Sequence, residues 1–477
     1  HNRFCSYEFF RGQEGDLWKG VVAGADRSMI GNFAYRMKRQ DAINRSFLAS
    51  EEEHPQTGVF DAGLDFVGRN AGEDGWLVHI ETFDPHEPFF SYARWHALYP
   101  DDGSDFDWPP YDRVTEDEAT AAQARNRYLA LLSMCDANLG RLLDLMDEKK
   151  MWDDTMLIVC TDHGYMLGEK GWWSKSVMPW YDETIHTPLF VWDPRSQVSG
   201  DRRRALVQTI DIGPTLLDFF GLAPTSDMQG RPLRDTIAED RPVRQAGLFG
   251  IYGGHVSVTD GRYVYMRAPA ERENTPLYEY TLMPVHMRAM FLPEELASAE
   301  LAPPFSFTKG APVLKVPGWS MGTAWSYGTL LYDLEADPGQ ERPLDDPGLE
   351  LRMAQMLVDL MRASEAPAEQ FARLGLPASE QIILGSDRQW PQVEAGQRQA
   401  LRSSDFPPGA LVASLTVGEL MQRPGARELL AGVLPEPGNS FMAYILGTKT
   451  LVEVAATMPD LTRERLEELE RELETLA

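Results

Sequence analysis

Apolar residues recur along the 477-residue chain at spacings that predict alternating strands and helices. Residues 75–83, GWLVHIETF, form a mostly apolar run that is typical of a strand buried on both faces. Residues 155–160 and residues 187–193 form two further strand-like runs. A helical pattern lies between the first two runs, and a loop lies between the last two. This order predicts an α/β fold with a mostly parallel sheet flanked by helices.

Helix-start and helix-stop signals frame two of the predicted helices. Thr115, with Glu118 three residues later, matches a capping box, and an apolar stripe at helical spacing continues to about Lys149. A shorter helix is predicted around Pro214, which stands near its first turn, with Gly221 just past its end.

The pattern changes after about residue 243. Short apolar runs separated by glycine turns predict a smaller antiparallel subdomain. Residues 291–318 contain five prolines and predict a long surface loop, of which residues 302–317 could fold over a site. The predicted domains are residues 1–240, an α/β domain; residues 241–370, the antiparallel subdomain; and residues 405–477, a helical tail.

The last predicted helix places leucines on one face. Such a stripe, without chemistry-bearing residues, indicates a packing module or a homo-oligomer contact. The leucines are Leu461, Leu466, Leu469, Leu473 and Leu476.

Charge and composition exclude some classes of protein. With 45 basic and 73 acidic side chains, the formal net charge is −28, so no nucleic-acid partner is expected. An anionic substrate would need strong positive charge close to its site. No apolar run approaches the roughly 20 residues of a membrane helix. Three cysteines are too few for a disulfide scaffold and favour a cytoplasmic location.

Two segments at strand ends carry the candidate chemistry. Asp162 and His163 follow the second strand, and together they offer an oxygen and a nitrogen to a divalent cation. The alternative is a helix-capping aspartate beside a loop histidine. His86, between two prolines in DPHEP, is either a packed loop histidine or an imidazole that binds an oxyanion and protonates a leaving oxygen.

Lys175 lies in GWWSK, a loop rich in tryptophan. Most lysines are solvated, but one beside Trp172 and Trp173 would be partly desolvated and would act strongly on a bound anion. These tryptophans, with Trp180 and Tyr181, could also stack on a substrate ring. Three further residues are interpreted as structural: Asp84 as a turn former, His79 as a packed histidine and His186 as a residue preceding a strand.

Together these segments resemble the sulfatase family of the alkaline phosphatase superfamily. The matching stretches include HIETFDPHEPF, TDHGYMLGEKGWWSK, YDETIHTPLFVWDP and LYDLEADPGQ, in the family's order. The resemblance implies an alkaline-phosphatase-like fold. It also implies that Asp162 and His163 bind a divalent cation, usually Ca²⁺, that Lys175 contacts the sulfate and its bridging oxygen, and that His86 binds the sulfate and assists the leaving group.

The resemblance also implies residues that the chain does not show. Family members carry paired carboxylates and then a Cys-x-Pro-x-Arg or Ser-x-Pro-x-Arg motif, whose first residue becomes the formylglycine nucleophile. Cys5, in CSYEF, lacks the proline and arginine and is rejected as that nucleophile. We therefore expect the chain to lack the N-terminal portion that holds the nucleophile, and to be inactive alone.

Three functions are compatible with these residues. The first is a sulfuric ester hydrolase, acting on a small-molecule sulfate ester. The second is a phosphonate monoester or phosphodiester hydrolase of the same superfamily, with Mn²⁺ or Zn²⁺. The third is a non-catalytic chain that keeps the fold for binding or assembly.

Overall fold

The computed structural model describes residues 4–25, 33–100, 103–283, 285, 290–318, 320, 323–377, 401–434, 446–447, 449–458 and 461–476. The chain divides into two compact units. Unit 1 comprises residues 1–110, 114–156 and 167–173, and unit 2 comprises residues 111–113, 157–166 and 174–477. No helix in the described ranges is long and apolar enough to cross a membrane.

Unit 1 is mainly helical. The second and fourth helices pack against each other, and the long fourth helix buries one stripe that includes Leu131, Leu142 and Met146. Its N-cap is Asp117, whose carboxylate accepts the N–H of Thr120, rather than the predicted Thr115. In the part of this unit that the structure describes, the α-helices are Phe33–Arg45, Pro55–Asn70, Ala93–His96 and Glu118–Lys149.

Residues 75–83 differ from the predicted doubly buried strand. They belong to no strand, and their side chains alternate between half-buried and exposed, with Leu77 50% and Phe83 39% exposed. His79 is exposed rather than packed. An apolar run predicts an extended segment, but a strand also needs a pairing partner, and this segment has none among the described residues.

Unit 2 contains a two-stranded sheet that carries part of the candidate site. The strands Leu157–Cys160 and Leu189–Trp192 confirm the predicted positions, but they pair antiparallel, with Leu157 opposite Trp192. Parallel strands are usually joined by a crossover helix, but the connection here, residues 161–188, contains two short strands and, as its α-helix, the four-residue Asp182–Ile185. Cys160, the last residue of its strand, is exposed.

The predicted antiparallel subdomain is present. Four strands pair in the order Leu330–Asp333, Tyr263–Arg267, Val256–Thr259 and Gly247–Gly250. The helix Pro347–Ala363 covers this sheet. Its N-cap Asp346 accepts two backbone N–H bonds, and its apolar face joins the strands in one core. The α/β class, with antiparallel strands after the first domain, is therefore confirmed.

The proline-rich stretch is more regular than predicted. Val313–Pro317 pairs antiparallel with Glu300–Ala302 on one side and with Tyr278–Thr281 on the other. Five prolines predict a loop, but Pro317 stands at the end of its strand, where the missing N–H costs little.

The remaining elements of unit 2 are short. Its other helices before the tail are Ile212–Phe219, Arg234–Glu239, Pro293–Ala297, Thr323–Tyr327 and Ala368–Arg373. Asp112–Arg113 is a two-residue strand, while the strands Met166–Leu167 and Trp172–Ser174 fall across the unit boundaries.

The helical tail forms its own hydrophobic core. Leu466, Leu469 and Leu473 are fully buried within it, and Leu461 is 3% exposed. The leucine stripe is therefore used inside the chain, so it gives no support to a homo-oligomer contact. The described helices are Leu411–Ser414, Val417–Leu420, Ala426–Ala431, Leu451–Thr457 and Arg463–Thr475.

Candidate active site

Asp162 and His163 form a close polar pair just past the strand Leu157–Cys160. Oδ2 of Asp162 lies 3.4 Å from Nε2 of His163, and the two side chains are 81% and 34% exposed. Oδ1 of Asp162 accepts the backbone N–H of His163 at 2.8 Å and the hydroxyl of Thr161 at 3.3 Å. One carboxylate oxygen and one imidazole nitrogen are thus presented together.

The surroundings keep this carboxylate ionised. Partial burial raises the pKa of Asp162, but the backbone N–H of His163 and the charge of its imidazole lower it more, and the net pKa is below the usual value. A metal-binding carboxylate must be deprotonated, so Asp162 is in the form a cation requires.

Gly164 fixes the backbone of this loop. Its N–H donates to the carbonyl of Thr184 at 2.8 Å, and a Cβ at this position would lie 1.9 Å from the carbonyl oxygen of Glu183. No larger residue fits such an approach, which explains why glycine follows the Asp-His pair.

Lys175 is in the same unit, after a turn held by Ser174. The buried hydroxyl of Ser174 accepts the N–H groups of Ser176 and Val177 at 3.1 and 3.3 Å. Nζ of Lys175 lies 5.6 Å from the ring centroid of Tyr111, and that ring is 6.2 Å from the ring of Tyr165. Two aromatic rings therefore link Lys175 to the segment that carries His163.

The Asp162–His163 pair fits part of a metal site. Two ligands on adjacent positions of one ion are about 3 Å apart when their bonds are 2.0–2.5 Å long, close to the separation of the two facing atoms. Among the residues that the structure describes, no group of three His, Cys, Asp or Glu side chains could hold an ion. The pair would supply two ligands, and the site needs more.

His86 lies in unit 1, on a loop with cis bonds before Pro85 and Pro88. The backbone N–H of His86 donates to the carbonyl of Phe83, and the centroids of the two rings are 4.2 Å apart. Nδ1 is 2.5 Å from the carbonyl oxygen of Glu87, a contact that requires a proton on Nδ1. The side chain is a quarter exposed, so the ring is partly accessible to solvent.

Asp84, two residues before His86, is a buried carboxyl group and more than a turn former. Its oxygens accept hydrogen bonds from the side-chain amides of Gln13, at 2.6 Å, and Gln56, at 2.7 Å. Burial is the main reason that its pKa rises to about 7, and these bonds oppose the rise. His54 Nδ1 is 3.5 Å away, but it accepts the backbone N–H of Gln56. The contact is therefore not an ion pair, and burial lowers the pKa of His54 to about 4.

No sequence pattern predicts this buried cluster. Gln56 also accepts the side-chain amide of Asn138, so one glutamine joins the first turn of the helix Pro55–Asn70 to the long helix and to the loop that carries His86. Polar residues at such positions ordinarily predict an exposed surface.

The exposure of the side chains decides whether Trp172 and Trp173 can stack on a substrate, and it describes the surroundings of His186. Trp172 and Trp173 are 1% and 0% exposed, so they cannot stack on a substrate; the indole N–H of Trp173 donates to Glu116 instead. The side chain of His186 is 78% exposed, and its Nδ1 lies 3.0 Å from Asp182, a hydrogen bond that raises its pKa.

Comparison with known proteins assigns the family. The sulfatase family model matches residues 6–222, which include all four candidate residues. Residues 6–222 belong to the sulfatase family. A second model of this family, N-sulphoglucosamine sulphohydrolase, C-terminal, matches residues 168–299 and overlaps the first model at Lys175.

Individual sulfatases match over shorter stretches. N-acetylglucosamine-6-O-sulfatase of Bacteroides thetaiotaomicron is 34% identical over 113 residues, which are 24% of this chain and 20% of that protein. Choline-sulfatase of Rhizobium meliloti is 24% identical over 294 residues, 55% of this chain and 54% of that protein. The chain thus spans about half the length of these curated relatives, or less.

A solved structure, the phosphonate monoester hydrolase of Silicibacter pomeroyi, is also similar. Its TM-score is 0.45 at 19% identity, over 67% of this chain and 61% of that chain. Because this score is low, the family assignment rests on the two family models.

Proposed function

We propose that the protein is a sulfuric ester hydrolase that binds its sulfate ester beside Lys175 and a divalent cation. The observation that carries this proposal is the exposed, ionised Asp162 facing His163 at a strand end, inside the segment that the sulfatase model matches. Lys175 supplies the local positive charge that a chain of net charge −28 needs to attract an anion.

Asp162 and His163 would hold the cation. An oxygen and a nitrogen ligand are compatible with several divalent ions, and the resemblance to sulfatases is the reason that we propose Ca²⁺. When bound, such an ion stabilises negative charge on the sulfuryl oxygens. Lys175 neutralises the same charge, and the ring of Tyr111 limits where its ammonium can lie.

His86 is the proposed proton donor to the leaving oxygen. Its Nδ1 proton is engaged by the carbonyl of Glu87, so Nε2 would carry the transferred proton in the imidazolium form. The nucleophile is not among the four residues assigned here.

The test uses the protein expressed from its complete gene. Hydrolysis of an aryl sulfate, choline sulfate and N-acetylglucosamine-6-sulfate is compared with hydrolysis of an aryl phosphodiester, with Ca²⁺, Mn²⁺ or Zn²⁺ supplied. Lys175→Ala should lower kcat/KM for the sulfate ester by about a hundredfold or more. Lys149→Ala, which removes a surface lysine paired with Glu148, is the control and should leave it unchanged.

Two results would replace this proposal. Faster turnover of the phosphodiester, with Mn²⁺ or Zn²⁺ bound, would assign the phosphonate or phosphodiester hydrolase function. Absence of metal binding, together with no effect of Lys175→Ala on any substrate or on sulfate binding, would assign a non-catalytic role.

A further inference from the structure

Three consecutive residues connect the Lys175 segment to the helical tail of unit 2. Tyr111 places its ring 5.6 Å from Nζ of Lys175. Asp112 makes an ion pair with Lys449, with 2.9 Å between Oδ2 and Nζ. Arg113 is 8% exposed. A movement of this short strand would therefore change the position of Tyr111.

The C-terminal helical module, residues 405–477, holds Lys449 firmly. The carbonyl of Lys449 accepts the N–H of Val417 at 2.7 Å. The next residue, Thr450, pairs with Thr416 in an isolated β-bridge and is the N-cap of the helix Leu451–Thr457. This helix packs against the strand Asp112–Arg113. The ammonium is thus presented from a folded core rather than from a loose tail.

The ion pair is shielded from solvent. The side chains of Asp112 and Lys449 are 10% and 22% exposed. Burial raises the pKa of Asp112 although Lys449 opposes the rise. A buried carboxylate that loses its cation is strongly unfavourable, so breaking the pair should weaken the hold on this strand.

We propose that the C-terminal helical module sets the anion affinity of the Lys175 site by fixing Tyr111 through the Asp112–Lys449 ion pair. The inference rests on the proposed function, because it takes Lys175 as the residue that binds the anion. Lys449, Asp112 and Tyr111 are positioning residues: they hold the ammonium in one place, so less conformational freedom is lost when the anion binds.

The test measures binding of inorganic sulfate to the full chain by calorimetry. Lys449→Met should raise the Kd of sulfate about tenfold, and Lys449→Arg should restore it because the charge returns. Tyr111→Ala should raise Kd by about three- to tenfold. In the Lys449→Met background, Tyr111→Ala should add little, because both changes act through one contact.

Controls separate positioning from loss of fold. Arg463→Met, in the same module, breaks an exposed pair with Glu467 and should not change Kd. If Lys449→Met unfolds the module on thermal melting, Asp112→Asn/Lys449→Met removes both charges together, restores folding and should still raise Kd.

Failure of the inference can be told from failure of the proposed function. If Lys175→Ala leaves the Kd of sulfate unchanged, the proposed function is wrong. If Lys175→Ala weakens binding but folded Asp112→Asn/Lys449→Met binds within twofold of wild type, the function stands and the role of the module is wrong.

Discussion

Asp84 and Asp162 are the same residue type placed just after apolar extended segments, yet their surroundings are opposite. The Asp84 side chain is 2% exposed, accepts bonds from two amides, and has a pKa raised to about 7. The Asp162 side chain is 81% exposed, accepts a backbone N–H, and has a lowered pKa.

This difference shows that the partners of a carboxylate decide its role. Asp84 meets only neutral donors in a buried site, so it holds the loop before His86 and is poorly suited to bind a cation. Asp162 is ionised and accessible, so it is suited to be a ligand. Each aspartate has a histidine one or two residues later, and the local sequence does not tell them apart.

The largest effect on stability is expected from Asp84→Ala. Removing the carboxyl takes the acceptor from the partly buried side-chain amide of Gln13, and it leaves the buried amide of Gln56 with its weaker bond to Sγ of Cys135. The free energy of unfolding should therefore fall by about 2–4 kcal/mol. Urea unfolding measures it. Asp61→Ala, which removes an exposed carboxylate paired with Arg141, is the control and should change little. If both variants lost the same unfolding free energy, the burial of Asp84 would not make its carboxyl group more important for stability than the exposed one of Asp61.

Asp84→Asn should change how stability depends on pH. The folded pKa of about 7 exceeds the ordinary value of 3.8, so the carboxyl contributes most below pH 3.8, and its contribution falls as pH rises to about 7. His54, with its pKa lowered to about 4, contributes the opposite slope. The difference between wild-type and variant unfolding free energies, measured from pH 4 to 7, isolates Asp84; a difference that stays constant would contradict its raised pKa.

Asp162→Asn should be nearly neutral for stability, within about 0.5 kcal/mol, because the side chain is exposed. Its Ca²⁺ affinity should nevertheless fall by roughly tenfold or more, since a charged ligand is lost. Calorimetric titration of Ca²⁺ checks this, with Asp154→Asn as the control for an exposed carboxylate next to the same strand. Unchanged affinity would remove Asp162 from the metal site.

The smallest effect is expected from His186→Ala. Its exposed pair with Asp182 spans one helical turn and should contribute only about 0.3–0.5 kcal/mol. Thermal unfolding at pH 6, where the imidazole is charged, measures the loss. A loss above about 1 kcal/mol would show that His186 does more than pair with Asp182.

Sequence reasoning located extended segments and helices well. The apolar runs correctly placed the strands Leu157–Cys160 and Leu189–Trp192 and the long helix that ends at Lys149. It did not predict the antiparallel pairing, because apolar character reports burial and carries no information on strand direction.

The candidate site was predicted only in part. The structure places Asp162 and His163 side by side after a strand, and their role as metal ligands stays a prediction. The positions of Gln13, Gln56 and Lys449 could not be predicted, because each contact joins residues that are far apart in the chain. The burial of Trp172 and Trp173 was also missed, because their position in a loop suggested that both rings could stack on a substrate.

The close approach of Gly164 to the carbonyl of Glu183 has a consequence for engineering. The carbonyl oxygen of Glu183 leaves room only for a hydrogen on Gly164, so the turn that carries Asp162 and His163 depends on the position of residues 183–184. Libraries that vary the turn around Asp162 should keep Gly164 constant, and grafting this turn onto another scaffold would require the segment that follows it as well.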